Sequence, residues 1–228
     1  DQWEVRKELS IYQDNVRNAK RFKILPHRFL KEYDISIYID GNYIVKKDIN
    51  ELVNTFLSDA NAAFYDHNQQ PAYDKRNCIY QEAYAIKQLY DMNTSPNKKP
   101  KDNLDIIFKQ METYKTFGYP EQNGLINGGI ILRRHNEQDC IRTMEDWWSE
   151  IKQHSRRDQL SFNYVAWKNN FKFNYLEGHD RTNEYFNFMR HTKHKDNKNL
   201  NTFVPISLDY FLKMELQTGG GGKEMVTN

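Results

Sequence analysis

Cysteine is scarce in this chain. Its 228 residues include two, Cys78 and Cys140, far apart and in no metal-ligand spacing. That argues against a disulfide framework and predicts two buried thiols in a reducing compartment, hence a cytoplasmic location. Long apolar runs are missing too. None approaches the roughly 20 residues that span a bilayer, and no segment has the pattern of a secretory leader. Neither sign of charge dominates: 33 Lys and Arg face 31 Asp and Glu, a formal net charge of +2. A surface-wide affinity for nucleic acid or membrane is therefore not indicated. No internal repeat is present, and the first residue is Asp1 rather than Met, so a fragment or a processed piece is expected.

What is present is aromatic. Mean hydropathy is −0.93, yet 13 Phe, 15 Tyr and 4 Trp supply the material of a core. The length suits one large domain, or one with a small appendage. The boundaries expected are a main domain over 1–203 and an appendage over 204–228, a closing helix and a flexible Gly-rich tail.

The most informative stretch is Asp34-Ile-Ser-Ile-Tyr-Ile-Asp-Gly-Asn42. Ile35, Ile37 and Ile39 alternate with Ser36 and Tyr38, which predicts a strand delivering Asp40, Gly41 and Asn42 at its end. A short strand follows at 43–45. Asp48 with Glu51 three residues later reads as a capping box, opening a helix through Leu52, Val53 and Phe56. Ala62–Tyr65 reads as a buried strand ending at Asp66 and His67. Helical spacing runs through Ile79, Ala83, Ile86 and Leu89, again through Leu104, Ile107, Met111 and Tyr114, and again through Ile141, Met144, Trp147, Trp148 and Ile151. Leu125–Leu132 reads as a buried strand interrupted by Gly128 and Gly129, which fits a bulge or a close ligand approach. Phe171, Phe173 and Tyr175 alternate as a last strand. Strands alternating with helices predict an α/β layered domain.

Chemistry-bearing residues collect at strand ends, where ligands of α/β sheets sit. Asp40 and Asn42 can bind Mg²⁺ or Mn²⁺ through hard oxygens, or hold a ribose hydroxyl, and the plain alternative is a hairpin turn. Arg21, Lys23, His27 and Arg28 can grip a diphosphate, or merely form a solvated face. Arg133, Arg134 and His135 place positive charge after a strand. Arg157, Asp158 and Gln159 present a cation, a carboxylate and an amide, although Asp158 also stands where a helix N-cap would. Glu82 taken alone reads as exposed. His179, His191 and His194 lie in a late polar segment; any of them can complete a metal site or stay a surface histidine.

Order along the chain is more specific than any one cluster. Arg21-x-Lys23-x-x-Pro26-His27, Ile37-Tyr-Ile-Asp-Gly-Asn42, His67, Tyr80-Gln-Glu-Ala83, Gly124-Leu125 with Ile130-Ile-Leu-Arg-Arg-His135, Trp147-Trp148-x-Glu150 and Arg157-Asp-Gln-Leu-Ser-Phe162 follow one another. This succession, over about residues 17 to 195, resembles a family of glycosyltransferase-like domains. The family occurs in plant mucilage- and cell-wall-related proteins and in bacterial and viral surface-glycan proteins. The resemblance implies a GT-A-like, Rossmann-type mixed sheet flanked by helices. It implies a hexosyl- or deoxyhexosyltransferase that moves sugar from a nucleotide sugar to a glycan acceptor in polysaccharide biosynthesis, assisted by Mn²⁺ or Mg²⁺. Asp40 and Asn42 stand in the place of the DxD motif, with Asn42 the poorer ligand because its amide is neutral. His179 or His194 is the candidate third metal ligand. The donor site implied comprises Arg21, Lys23, His27, Asp40, Gly41, Asn42, His67, Glu82, Gly128, Gly129 and Arg133. Arg157, Asp158 and Gln159 are the catalytic residues implied, facing the donor sugar, with Asp158 the preferred carboxylate to orient or deprotonate the acceptor hydroxyl. Only about twenty residues precede Arg21 and no base-gripping strand is seen among them, so the first βα unit is expected to be missing. The other function class compatible with these residues is a non-catalytic glycan- or nucleotide-binding module.

Overall fold

The computed structural model describes residues 4–71, 74–93, 95, 97 and 99–189. The expected boundary at 203/204, the closing helix, the Gly-rich tail, His191 and His194 lie outside the described residues. Among the described residues no helix is long and apolar enough to cross a membrane.

Seven helices and six strands are present among the described residues: α1 (Asn15–Ile24), α2 (Pro26–Phe29), β1 (Ser36–Ile39), β2 (Tyr43–Val45), α3 (Asn50–Phe56), β3 (Ala62–Asp66), α4 (Ile79–Asp91), α5 (Leu104–Thr116), β4 (Ile126–Arg133), α6 (Gln138–Gln153), α7 (Phe162–Lys168), β5 (Asn174–Leu176) and β6 (Phe186–Phe188). The fold is mixed α/β. A four-stranded mixed sheet in the order β1-β4-β3-β5 carries the core, and β2 pairs with β6 in a separate two-stranded ribbon.

Strand direction decides where a site can form. β4 is antiparallel to both β1 and β3, and β5 is parallel to β3. The carboxyl ends of β1, β3 and β5 therefore share one edge with the amino end of β4. Asp40, His67 and Asn127 gather at that edge. Arg133 pairs with Ser36 and Ala62 at the opposite edge. The β3–β4 register jumps from Phe64↔Ile131 to Tyr65↔Asn127. The residues left unpaired with β3 include Gly128 and Gly129, so the glycine pair is a bulge. A Cβ on Gly128 would stand 3.2 Å from Lys23 Nζ and 3.5 Å from Asp158 Oδ2. The missing side chain lets those two charges approach the strand.

The helices pack as their spacing requires. Cys140, Thr143, Met144, Trp147, Trp148 and Ile151 form the buried stripe of α6. Trp147, Phe64, Phe162 and Phe173 make an aromatic nucleus, with ring centroids 4.3 Å apart for Phe64–Phe162 and 4.9 Å for Trp147–Phe162. Each such pair adds about 0.5–1.5 kcal/mol beyond its buried area. α5 is closed off two residues past its end by Gly118, whose φ of +82° suits a residue without Cβ. Gly118 N–H donates to Lys115 and Tyr119 N–H to Tyr114, so both orphan carbonyls find partners.

Two local expectations are corrected, and one element was missed. α3 begins at Asn50, and Glu51 accepts from the Tyr185 hydroxyl at 2.6 Å instead of reaching back to Asp48. The expected capping box is therefore absent. Leu89 is 60% exposed, so the apolar stripe of α4 stops at Ile86. α1 was not visible in the sequence because its buried face holds Asn18 and Lys23 beside Ile24, which breaks the apolar period.

Candidate active site

At the shared sheet edge lies a polar cleft of about 400 Å³. Its walls come from the β1–β2 turn, the start of β4, the segment after β3, α4, the segment before α5, the 158–160 turn and the 180–188 segment. Asp40, Asn42, His67, Glu82, Gly129, Arg157 and Gln159 all line it. Residues from seven places in the chain therefore meet in one cavity.

The β1 end is rigid. Asp40 N–H donates to the Gly129 carbonyl at 2.8 Å, and Tyr43 N–H donates to the Asp40 carbonyl at 3.1 Å. The Tyr38 hydroxyl donates to Asp40 Oδ1 at 2.6 Å. Burial, and then that carboxylate, push the Tyr38 phenol far above its ordinary range, so it stays a donor. Gly41 makes the turn that presents Asn42 to the cleft; it has open space around it.

A second network spans the cleft floor. Glu82 is buried, and its two oxygens receive Arg76 Nε at 2.7 Å and Arg157 Nη2 at 3.1 Å. Glu82 is thus no exposed surface acid but the bridge between two guanidinium groups. Arg76 also donates to Asp74 Oδ1 at 2.8 Å and to His67 Nε2 at 3.0 Å. A guanidinium only donates, so Nε2 is the acceptor and Nδ1 carries the proton in the neutral ring. Burial and the Arg76 charge both lower the His67 pKa, which keeps the imidazole neutral. Gln159 Nε2 donates to the Ile126 carbonyl at 3.0 Å, fixing the 158–160 turn on β4.

Asp158 behaves differently from the N-cap the sequence allowed. It caps nothing through its side chain. Its Oδ2 receives Lys20 Nζ at 2.6 Å and Lys23 Nζ at 2.7 Å. Burial would raise the Asp158 carboxyl, but the two ammonium charges outweigh it and hold the group well below the usual carboxylate range. Lys23 also sits over the Tyr38 ring, 4.7 Å from its centroid. The Asp158 pair thereby stands directly behind the Tyr38–Asp40 pair.

Other residues singled out in the sequence are not brought to the cleft. Arg21 stacks on Phe22 and Phe29. His27 Nε2 meets Glu145 Oε1 at 2.7 Å, with Arg28 on the same carboxylate. Arg133 is fully buried at the far edge of the sheet and donates to the Lys23 carbonyl at 2.8 Å. It caps the end of α1 and carries no free charge to a ligand, because β4 runs opposite to the direction its assignment assumed. His135 is buried and bonded to the Leu30 carbonyl at 2.8 Å.

The cleft also contains residues that the sequence did not reveal. Asp180 is 1% exposed and accepts from the Tyr43 hydroxyl and from Gln70 Nε2. Arg181, Lys101, Asp74, Arg76, Asn127 and Phe188 also line it. Most sit in segments with no apolar period, so no pattern marks them. Three lining residues hold a buried polar atom without a hydrogen-bond partner: His67 Nδ1, Arg157 Nε and Arg181 Nε, the last 3.9 Å from Asp180 Oδ2. All three are N–H donors, and each left unpaired costs about 1–3 kcal/mol.

The expected divalent cation meets a limited donor set. Asp40 and Asn42 line the cleft, but Asp40 Oδ1 is already engaged by Tyr38, and both oxygens of Glu82 and of Asp180 are engaged too. His179 does not line the cleft; its Nδ1 accepts from the Arg181 N–H at 3.0 Å. Among the described residues, no three His, Cys, Asp or Glu side chains are grouped as a ligand set. The described residues alone therefore do not fit a closed metal shell.

A mixed α/β domain with a charged cleft at one sheet edge is the class of protein these features define. Residues 3–194 match the family model described as TOD1/MUCI70, glycosyltransferase-like domain, and the chain belongs to that family. It is 30% identical over 166 residues to a protein of Arabidopsis thaliana named "Probable hexosyltransferase MUCI70", an alignment covering 68% of this chain. The chain spans about 25% of the length of that relative. No solved structure matches it.

Proposed function

We propose that the cleft transfers a sugar from a nucleotide-diphosphate sugar to a glycan hydroxyl. One observation carries this: Asp40, held by Tyr38 and Gly129, opens into the same cavity as the guanidinium network of Arg76 and Arg157. Sugar transfer needs both halves. The acceptor oxygen forms its bond to the sugar's anomeric carbon as the bond from that carbon to the phosphate oxygen breaks. The electron pair stays on the diphosphate, and the acceptor's proton passes to that diphosphate or to water. Fixed cations stabilise the charge that develops on the leaving group. Asp40 Oδ2 accepts hydroxyl hydrogen bonds from the donor and fixes its pose.

Asp158 takes a positioning role in this scheme. A carboxylate neutralised by two lysines is a weak base, so it serves to hold Lys23 behind Tyr38 and Asp40. The apolar side of the cleft, Ala85, Ile86 and Leu89 on α4, offers a surface to a nucleobase or sugar face.

Nucleotide release from a panel of nucleotide sugars, with and without Mn²⁺, tests the reading. Turnover with one donor and its loss in Asp40→Ala is the expected result. Unchanged turnover in Asp40→Ala would remove Asp40 from the site. Glycan binding with no nucleotide binding under any condition would make the domain a binding module.

A further inference from the structure

The cleft is short of acceptors. Its buried lining atoms that make no hydrogen bond, His67 Nδ1, Arg157 Nε and Arg181 Nε, are all donors. Lys101 adds an ammonium group that makes no ion pair among the described residues. Loss of solvent, and then the nearby Arg157 charge, push its pKa below the ordinary lysine value, against the opposing pull of Glu82 and Asp74. Meanwhile three of the four carboxylates of the cleft are committed, and of the fourth, Asp40, Oδ1 is taken by Tyr38 and Oδ2 remains. Glu82 bridges Arg76 and Arg157, Asp180 takes Tyr43 and Gln70, and Asp74 takes Arg76 with Arg181 at 3.9 Å from its other oxygen. Unpaired donors beside carboxylates that, Asp40 Oδ2 apart, are already engaged describe a site for an oxyanion rather than for a hard cation.

Resting on the donor-site reading above, we propose that the donor's diphosphate is held directly by Lys101, Arg157 and Arg181, with no bridging divalent metal. A diphosphate presents several acceptor oxygens and two or more negative charges. Arg157 and Arg181 can each aim a second N–H at it while keeping the ion pairs that orient them, and Lys101 supplies a point charge from the facing wall. Asp40 is then left to the hydroxyls of the donor rather than to a metal.

The experiment is titration calorimetry of the full chain with inorganic pyrophosphate, UDP, GDP and ADP, in EDTA and in Mn²⁺. Expected are binding of pyrophosphate and of at least one nucleotide in EDTA, with affinity changed less than about threefold by Mn²⁺. Lys101→Ala weakens both roughly tenfold, the loss of one charge-assisted contact. Arg157→Lys, which keeps charge and fold but loses the planar fork, weakens both as well. Circular dichroism confirms that the variants fold. Nucleotide binding that appears only with Mn²⁺ overturns the proposal and leaves the donor reading standing. Pyrophosphate binding with no nucleotide binding overturns the donor reading and the proposal with it. Equal affinity of wild type and Lys101→Ala also overturns the proposal.

Discussion

Replacing Asp158 by Asn removes one negative charge from a site where two ammonium groups converge. Lys23 is 2% exposed and cannot turn to water, and Gly128 packs against it. Removing one partner of a buried ion pair costs about 3–5 kcal/mol, because the other charge stays buried and unpaired. Lys20 is the less buried partner, with 22% of its side chain exposed, so it swings out and relieves part of the repulsion. The lower end, about 3 kcal/mol, is therefore the expected loss. Urea denaturation reads it as a lower midpoint with an unchanged slope. Its pH dependence follows from the depressed carboxyl. A carboxylate whose folded pKa is lowered stabilises above its unfolded value, near 3.9, and that stability is lost as pH falls through the folded value. The gap between wild type and Asp158→Asn is thus constant near neutrality and closes in acid. Adding Lys23→Met to Asp158→Asn removes the stranded charge and recovers part of the loss. A deficit under about 1 kcal/mol, or no recovery in the double variant, refutes the stranded-charge account.

Gly128→Ala drives a methyl group to 3.2 Å from Lys23 Nζ, so overpacking of about 1–2 kcal/mol and a fall in turnover are expected, read by urea denaturation and nucleotide release. Glu82→Gln leaves Arg76 and Arg157 without their shared counter-charge; turnover should drop at least tenfold while far-ultraviolet dichroism stays native. His67 titrates below its ordinary value, so folding stability should fall as pH drops below about 6.5, and His67→Gln should flatten that slope in pH-dependent denaturation. Both thiols are buried, and burial pushes Cys140 up to about 12; a thiol reagent should label neither Cys78 nor Cys140 in the native protein and both in urea.

What the sequence made legible was carried by period. α6 follows its apolar spacing closely, because it buries one continuous face; β1 forms where the alternation marks it, although Ser36 is its buried residue and Ile37 and Ile39 are only half-buried. Asp40, Gly41 and Asn42 were legible for the same reason: the strand's end is where its alternation stops. α1 was not, because its inward face carries Asn18, which bonds the Tyr12 carbonyl just ahead of the helix, and Lys23, whose partner Asp158 is remote in the chain. Strand direction was equally hidden. An apolar run such as Ile126–Leu132 reads alike in a parallel or an antiparallel sheet, so nothing local marked which of its ends would meet Asp40. Assuming the carboxyl end assigned Arg133 to the ligand, whereas the amino end, with Asn127 and Gly129, is the one at the cleft. Arg76, Lys101, Asp180 and Arg181 were hidden by the same limit, since a loop residue's partner is set by three-dimensional proximity alone. Their convergence also changes the chemistry assigned to Asp40. A lone acid beside an amide invites a metal. With four cations and three further carboxylates sharing its cavity and its Oδ1 already taken by Tyr38, the same acid is matched, in the proposed donor site, to hydroxyl groups, and there the charge of a leaving diphosphate would fall to arginine and lysine.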